Sequence, residues 1–138
     1  MMSVGLIETD PETSSRLAKI PQRNTSIEKL VRRYLHRLGL RFRISNRDLP
    51  GSPDIANRTR RWAVFVHGCF WHHHGGCKRA TIPKRNRAFW VRKFRANQER
   101  DQRAVEQLER SGFICVVLWE CEIKEQPSIV EQKLNVLL

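Results

Sequence analysis

At 138 residues the chain is sized for one domain with its own hydrophobic core. Its 26 Lys+Arg against 14 Asp+Glu leave a formal net charge of +12, which points to a polyanionic partner. The N-terminus lacks a basic region followed by an apolar one, and no apolar run approaches the roughly 20 residues that cross a bilayer. Secretion and membrane insertion are therefore not expected. A cytoplasmic location is, and there clustered Cys and His point to metal rather than disulfides.

Residues 1–24 are polar and unpatterned, with Pro11 and Pro21 among them, and read as a flexible arm. Thr25-Ser26-Ile27-Glu28 has the form of a capping box. Ile27, Leu30, Val31, Tyr34, Leu35 and Leu38 follow at helical spacing, and Gly39 closes the helix. Leu40 to Ser45 alternates apolar and basic residues, as a half-buried strand does. A loop spans 46–53. Asp54 to Asn57 reads as a short strand, and Trp62 to His67 as a more buried one.

Pro83 and Asn86 precede a long helical pattern that runs to about Ser111 and ends at Gly112. The segment 78–110 holds eleven basic and four acidic residues, the densest positive stretch of the chain. Phe113 to Trp119 is a continuous apolar run, expected as a central strand covered on both faces. A short helix from Ser128 to Leu138 closes the domain, with Ile129, Val130, Leu134 and Leu137 inward. Helix, three strands, long helix, strand and helix make an α/β fold with one mixed sheet, in a single domain at 25–138.

Chemistry concentrates in Arg61–Lys78, RWAVFVHGCFWHHHGGCK. Cys69, His74, Cys77 and Cys121 can be written as C-x4-H-x2-C with a distant fourth cysteine. Four Cys/His ligands make a closed, structural zinc site, although spacing alone does not fix which of His72, His73 and His74 ligates. Cys115, mid-strand, reads as core. Asp54, at a strand start about a dozen residues before His67, could share a hard divalent ion with carbonyl and phosphate oxygens. His67 and His72 both suit a base that activates water. Phe70 and Trp71, in a polar loop, and Trp90, near the start of a basic helix, suit insertion between bases.

Several segments together resemble the very-short-patch-repair (Vsr) DNA mismatch endonucleases. They are Asn24-Thr25-Ser26-Ile27-Glu28, Leu49-Pro50-Gly51-Ser52-Pro53-Asp54, and Val64-Phe65-Val66-His67-Gly68-Cys69-Phe70-Trp71-His72-His73-His74. Phe89-Trp90 with Lys93, Asn97 and Glu99-Arg100-Asp101, and Trp119-Glu120-Cys121, complete the set. The resemblance implies a restriction-endonuclease-like αβββαβ core of the PD-(D/E)xK superfamily, with a mixed central sheet, a structural zinc loop and a C-terminal helix. It implies a Mg²⁺-dependent nick in one strand of double-stranded DNA, beside a T:G mismatch left by deamination of 5-methylcytosine.

By the same resemblance, Asp54 and the Val66 carbonyl hold Mg²⁺ and His72 is the base. His67, Glu28 and Asp101 support it. Zn²⁺ falls to Cys69, His74, Cys77 and Cys121, and DNA contact to Phe70, Trp71, Trp90, Leu17, Asn97 and Arg100. Leu17 stands where the family usually has an inserting methionine, and one extra glycine lies between the histidines and Cys77. A monomer associated with the nucleoid, working beside repair proteins or a cytosine methyltransferase, is the matching expectation. The alternatives are a related nicking nuclease with another DNA target and a non-catalytic zinc-stapled DNA-binding module.

Overall fold

The computed structural model describes residues 25–138. The arm at 1–24, Leu17 and the side chain of Thr25 lie outside the described residues. In chain order the elements are α1 (Thr25–Arg37), β1 (Arg43–Ile44), β2 (Ile55–Asn57), β3 (Trp62–His67), α2 (Arg87–Arg110), β4 (Ile114–Trp119), α3 (Glu120–Glu125) and α4 (Pro127–Asn135).

The strands form one mixed sheet in the order β1-β2-β3-β4. The β1–β2 and β2–β3 pairs are antiparallel, and β3–β4 is parallel. A parallel pair needs a long crossover connection, and the span from His67 to Ile114, containing α2, supplies it. Alternation along β3 divides the core. Trp62 and Val64 pack with Ile27, Val31 and Leu35 of α1, Ile123 of α3, and Val130 and Leu134 of α4. Ala63 and Phe65 pack on the other face with Leu108 and Val105 of α2. The result is three layers, helices on both sides of the sheet.

Four readings of the sequence change. The first strand pairs over Arg43–Ile44 alone, and Ile44 is 45% exposed. Leu40 and Phe42 still pack against the core, but Ser45 turns to φ 62 and ends the strand. Leu30 leaves the apolar stripe of α1 and is 38% exposed. The 120–125 segment, to which the sequence assigned no element, is a short helix that buries only Ile123; one apolar residue cannot announce a period.

The fourth change concerns β4, which lies at the end of the sheet order rather than in its centre. Its apolar run has a different cause. Val116 and Leu118 face the α1/α4 layer while Cys115 and Val117 face α2, so helices cover both sides of an end strand. Lys133 Nζ donates to the Val117 carbonyl at 3.0 Å, a donor from α4 where a further strand would have supplied one. Cys115 is accordingly only partly buried.

Candidate active site

The site forms where β2 begins and β3 ends. The register pairs Ile55 with Val64, which sets Asp54 beside Phe65 and Val66. Asp54 Oδ2 accepts a 2.7 Å hydrogen bond from the Val66 N–H, tying the carboxylate to the backbone of β3. The preceding loop is held rigidly. Buried Asn46 donates from Nδ2 to the Arg43 and Pro53 carbonyls at 3.0 and 3.2 Å. Gly51, at φ 73, lies so close to α2 that a Cβ there would sit 2.5 Å from that of Ala104.

Beyond Gly68 the chain winds through a series of turns. His72 N–H donates to the Gly68 carbonyl, His74 N–H to Cys69, and Cys77 N–H to His74, at 3.2, 2.9 and 3.3 Å. His73 takes φ 50, a conformation that costs a non-glycine residue about 1 kcal/mol or more. That twist sends the neighbouring histidines to different places. His72 Nδ1 lies 2.7 Å from Asp101 Oδ2 on α2. His73 stacks on Phe94 at 4.3 Å, and Gln98 Nε2 donates to its carbonyl at 2.8 Å. His74 turns toward the cysteines.

His67, the last residue of β3, stacks on His72 with centroids 3.9 Å apart and planes 3° apart. Trp119, its cross-strand partner, meets it edge-on at 5.1 Å. Burial, with the adjacent His72, pushes the His67 imidazole down to about 3, so it is neutral at physiological pH. Its Nδ1 is buried with no hydrogen-bond partner among the described residues. His67, His72 and Asp101 bring ligand atoms within 4.8 Å of one another; Asp54 and Glu28 are not part of that group. His67, His72 and Asp101 line a cavity of about 510 Å³, with Trp119 and Gln98 also in its wall. Glu28, 2% exposed on α1, has Arg32 at 3.8 Å.

The second group is Cys69, His74, Cys77 and Cys121, whose ligand atoms also lie within 4.8 Å. Zn–S and Zn–N bonds of about 2.3 and 2.0 Å in a tetrahedron put sulfur and nitrogen about 3.5 Å apart. The Cys69 and Cys121 sulfurs lie 3.7 and 3.5 Å from His74 Nδ1. The donor set therefore fits one tetrahedral metal ion. Burial pushes the Cys69 thiol up to about 12 and the Cys121 thiol upward, which a cation would reverse.

Glu120 accepts from the Cys69 N–H at 3.3 Å and from Lys124 Nζ at 2.9 Å. Burial pushes its carboxyl up, but Lys124 and that N–H hold it below the usual carboxylate range.

The aromatics expected to stand out in a polar loop do not. Phe70 and Trp71 are each 4% exposed and Trp90 is fully buried, and all three pack around Phe94. Trp90 and Phe94 fall one turn apart on α2 and hold the loop down; Asn97 is buried beside them, donating to the Trp71 carbonyl at 3.2 Å. Arg100 is exposed on the same helix. Phe94 and Gln98 were not singled out by sequence reasoning, and Trp119 and Glu120 entered only as part of the resemblance, with no role assigned. The Trp90/Phe94 spacing and the Trp119-Glu120-Cys121 run were the available signals.

The family model described as DNA mismatch endonuclease Vsr matches residues 7–79. The chain belongs to the Vsr family. The Vsr match contains Asp54, His67, His72 and three of the four metal-type ligands, while Asp101 and Cys121 reach the site through the fold. Among relatives, type II nicking enzyme V.XorIIP of Xanthomonas oryzae pv. oryzae is 41% identical over 121 residues, 88% of each chain. Type II nicking enzyme V.NmeAIP of Neisseria meningitidis is 39% identical over 132 residues, 96% of this chain and 93% of that one. DNA mismatch endonuclease Vsr of Escherichia coli is 36% identical over 122 residues, 88% and 78% of the two chains. No helix among the described residues is long and apolar enough to cross a membrane.

Proposed function

We propose that this Vsr-family protein is a Mg²⁺-dependent DNA endonuclease that nicks one strand of duplex DNA beside a T:G mismatch, initiating very short patch repair. The observation that carries the reading is the His72–Asp101 pair stacked on a neutral His67 at the end of β3, with Asp54 anchored to the N–H of the preceding Val66. The relatives' names support strand nicking and mismatched DNA as substrate.

In this reading Asp101 accepts a hydrogen bond from His72 Nδ1–H, which leaves Nε2 as the nitrogen that takes a proton from water. The water oxygen attacks phosphorus, the bond to the leaving sugar oxygen breaks, and that oxygen is protonated in turn. His67 packs against the base as an uncharged ring, so it adds no repulsion when His72 becomes cationic. The Asp54 carboxylate and the adjacent Val66 carbonyl are hard oxygen donors of the kind Mg²⁺ takes. Bound there, the ion would stabilise charge on the phosphate and the leaving oxygen. Zn²⁺ at Cys69, His74, Cys77 and Cys121 would fasten the loop to the end of β4. Glu28 supports the site from α1.

Residues 25–138 form the catalytic domain in this reading, with a PD-(D/E)xK-type core and an N-terminal arm at 1–24 that carries Leu17. A net charge of +12 supports binding to the DNA backbone. Phe70, Trp71 and Trp90 are the proposed wedge, and because they are packed together, insertion requires that cluster to open on DNA. Arg100 supplies a phosphate contact from α2, and Asn97 acts by holding the Trp71 backbone. The protein acts as a monomer at the nucleoid.

The test is nicking of end-labelled duplexes carrying T:G, other mismatches or perfect pairing, with Mg²⁺ and with EDTA. Mg²⁺-dependent nicking beside T:G, abolished by Asp54→Ala, is expected. Equal activity of Asp54→Ala and wild type rejects the role of Asp54. Nicking at a different mismatch favours a second reading, the same chemistry on another target, which the type II nicking enzymes among the relatives support.

A further inference from the structure

Four rings and a carboxylate run without a break from the cysteine cluster to the base. The His74 ring stacks on the Trp119 indole, centroids 4.1 Å apart and planes 8° apart. The indole meets His67 edge-on at 5.1 Å and 74°. His67 lies over His72 at 3.9 Å, and His72 Nδ1 reaches Asp101 at 2.7 Å. The backbone fixes the middle of this series. Parallel pairing places Trp119 opposite His67, and the Trp119 N–H donates to Glu122 Oε1 at 2.9 Å. Two residues on, the Cys121 N–H points to Cys69 Sγ at 3.4 Å.

We propose that Trp119 is a positioning residue for strand cleavage: it transmits the order of the metal-ligand cluster to the His67–His72 pair. The inference rests on the reading of His72 as base. An imidazole held by hydrogen bonds at both nitrogens would not need such a neighbour. His67 has no partner at Nδ1 among the described residues, so its ring plane is set by what it packs on. Those neighbours are Trp119, His72 and the more distant Phe65, at 5.8 Å. His67 in turn backs one face of His72. Without the indole, His67 gains freedom to tilt, and the base loses a fixed wall on one ring face.

The consequence is that the closed metal loop acts on the rate of cleavage as well as on stability. Misplacement of a reacting group by about 1 Å costs on the order of 100-fold in rate. Trp119→Ala should therefore lower kcat for nicking roughly 100-fold, with KM for the duplex unchanged. Zinc content should stay at the wild-type value. Trp119→Phe, which keeps a flat ring in the same place, should recover to within about tenfold of wild type.

The test combines steady-state nicking, zinc stoichiometry and NMR cross-peaks between the His67 and His72 ring protons, all on full-length zinc-loaded protein. Loss of those cross-peaks in Trp119→Ala, their return in Trp119→Phe, and a kcat that follows them are expected. Wild-type kcat in Trp119→Ala, or intact cross-peaks with lowered kcat, would overturn the proposal. So would a loss of activity only in proportion to lost zinc, which makes Trp119 a prop of the metal loop alone. If the wild-type protein nicks no duplex, the reading of His72 as base fails. The ring contacts then still decide whether Trp119 positions His67.

Discussion

Asp101 Oδ2 and His72 Nδ1 meet at 2.7 Å across 29 positions of sequence, joining the loop of the Cys/His cluster to the basic helix α2. Both side chains are about a quarter exposed, so the pair is reachable by water and substrate but not fully solvated. A carboxylate at Nδ1 selects the tautomer with its proton there. Asp101→Asn keeps the shape and removes that selection. If His72 is the base, single-turnover nicking should fall by roughly 100-fold or more, the lower range of general-base effects. Duplex affinity should be unchanged. A variant that nicks at the wild-type rate refutes the pairing as part of the chemistry.

The four-ligand cluster should matter to folding itself. Cys121 lies past the end of β4 while the other three ligands lie within a single loop, so its ligand bond would close the loop onto the sheet. Cys121→Ser should lower the metal content. It should also cost on the order of 4 kcal/mol or more, the range for mutations that lose a structural metal. Metal analysis and thermal unfolding check this; unchanged melting with full metal content rejects Cys121 as a ligand.

Cys115 supplies a pH dependence away from either site. Burial, reinforced by Glu109, pushes its thiol up to about 11 from 9.0. The folded state thus favours the neutral form. Its contribution to stability is fully present below pH 9.0 and is lost as pH rises through about 11. Alkylation of Cys115 in the zinc-loaded protein should stay slow at pH 8 and rise only as pH approaches 11. Mass spectrometry across that range is the measurement, and half-maximal labelling near the value of an ordinary thiol would contradict the burial argument.

Gly51 is a point of close approach between the loop that carries Asp54 and helix α2. A methyl group there would meet the Ala104 Cβ at 2.5 Å and Phe65 at 3.1 Å, on a backbone at φ 73. Gly51→Ala should destabilise by roughly 2–4 kcal/mol, summing overpacking of about 1–3 and left-handed strain of about 1. Urea unfolding would show this as a lower midpoint at unchanged slope. A neutral result would mean that the loop shifts freely, and with it Asp54.

Much of this was readable because the sequence marks its own boundaries in places. Trp62–Val66 is an unbroken apolar run that starts after Arg61 and is closed by His67-Gly68, and the strand spans Trp62–His67 as expected. Gly112, at φ 86, follows the long helix as expected. Asp101 sits in a run of charged helical residues, where periodicity cannot distinguish a carboxylate facing a histidine from one facing water. The polar composition around Phe70 and Trp71 pointed outward. Their burial depends on Trp90 and Phe94, brought to them by tertiary packing from another element. The position of β4 likewise depends on which helices cover it, which no local pattern encodes.

The left-handed twist at His73 makes three consecutive histidines behave as one indexed unit. One ring is committed to a carboxylate, the next to the Phe94 face and the third to the sulfur cluster. Adding or deleting a residue between Cys69 and His74 would deal each ring to its neighbour's task, so length is fixed there as tightly as identity. Gly75 and Gly76, by contrast, are exposed, with nothing within 4 Å of where a Cβ would stand. That is where the loop can lengthen by a residue between the histidines and Cys77 without disturbing any of the three assignments.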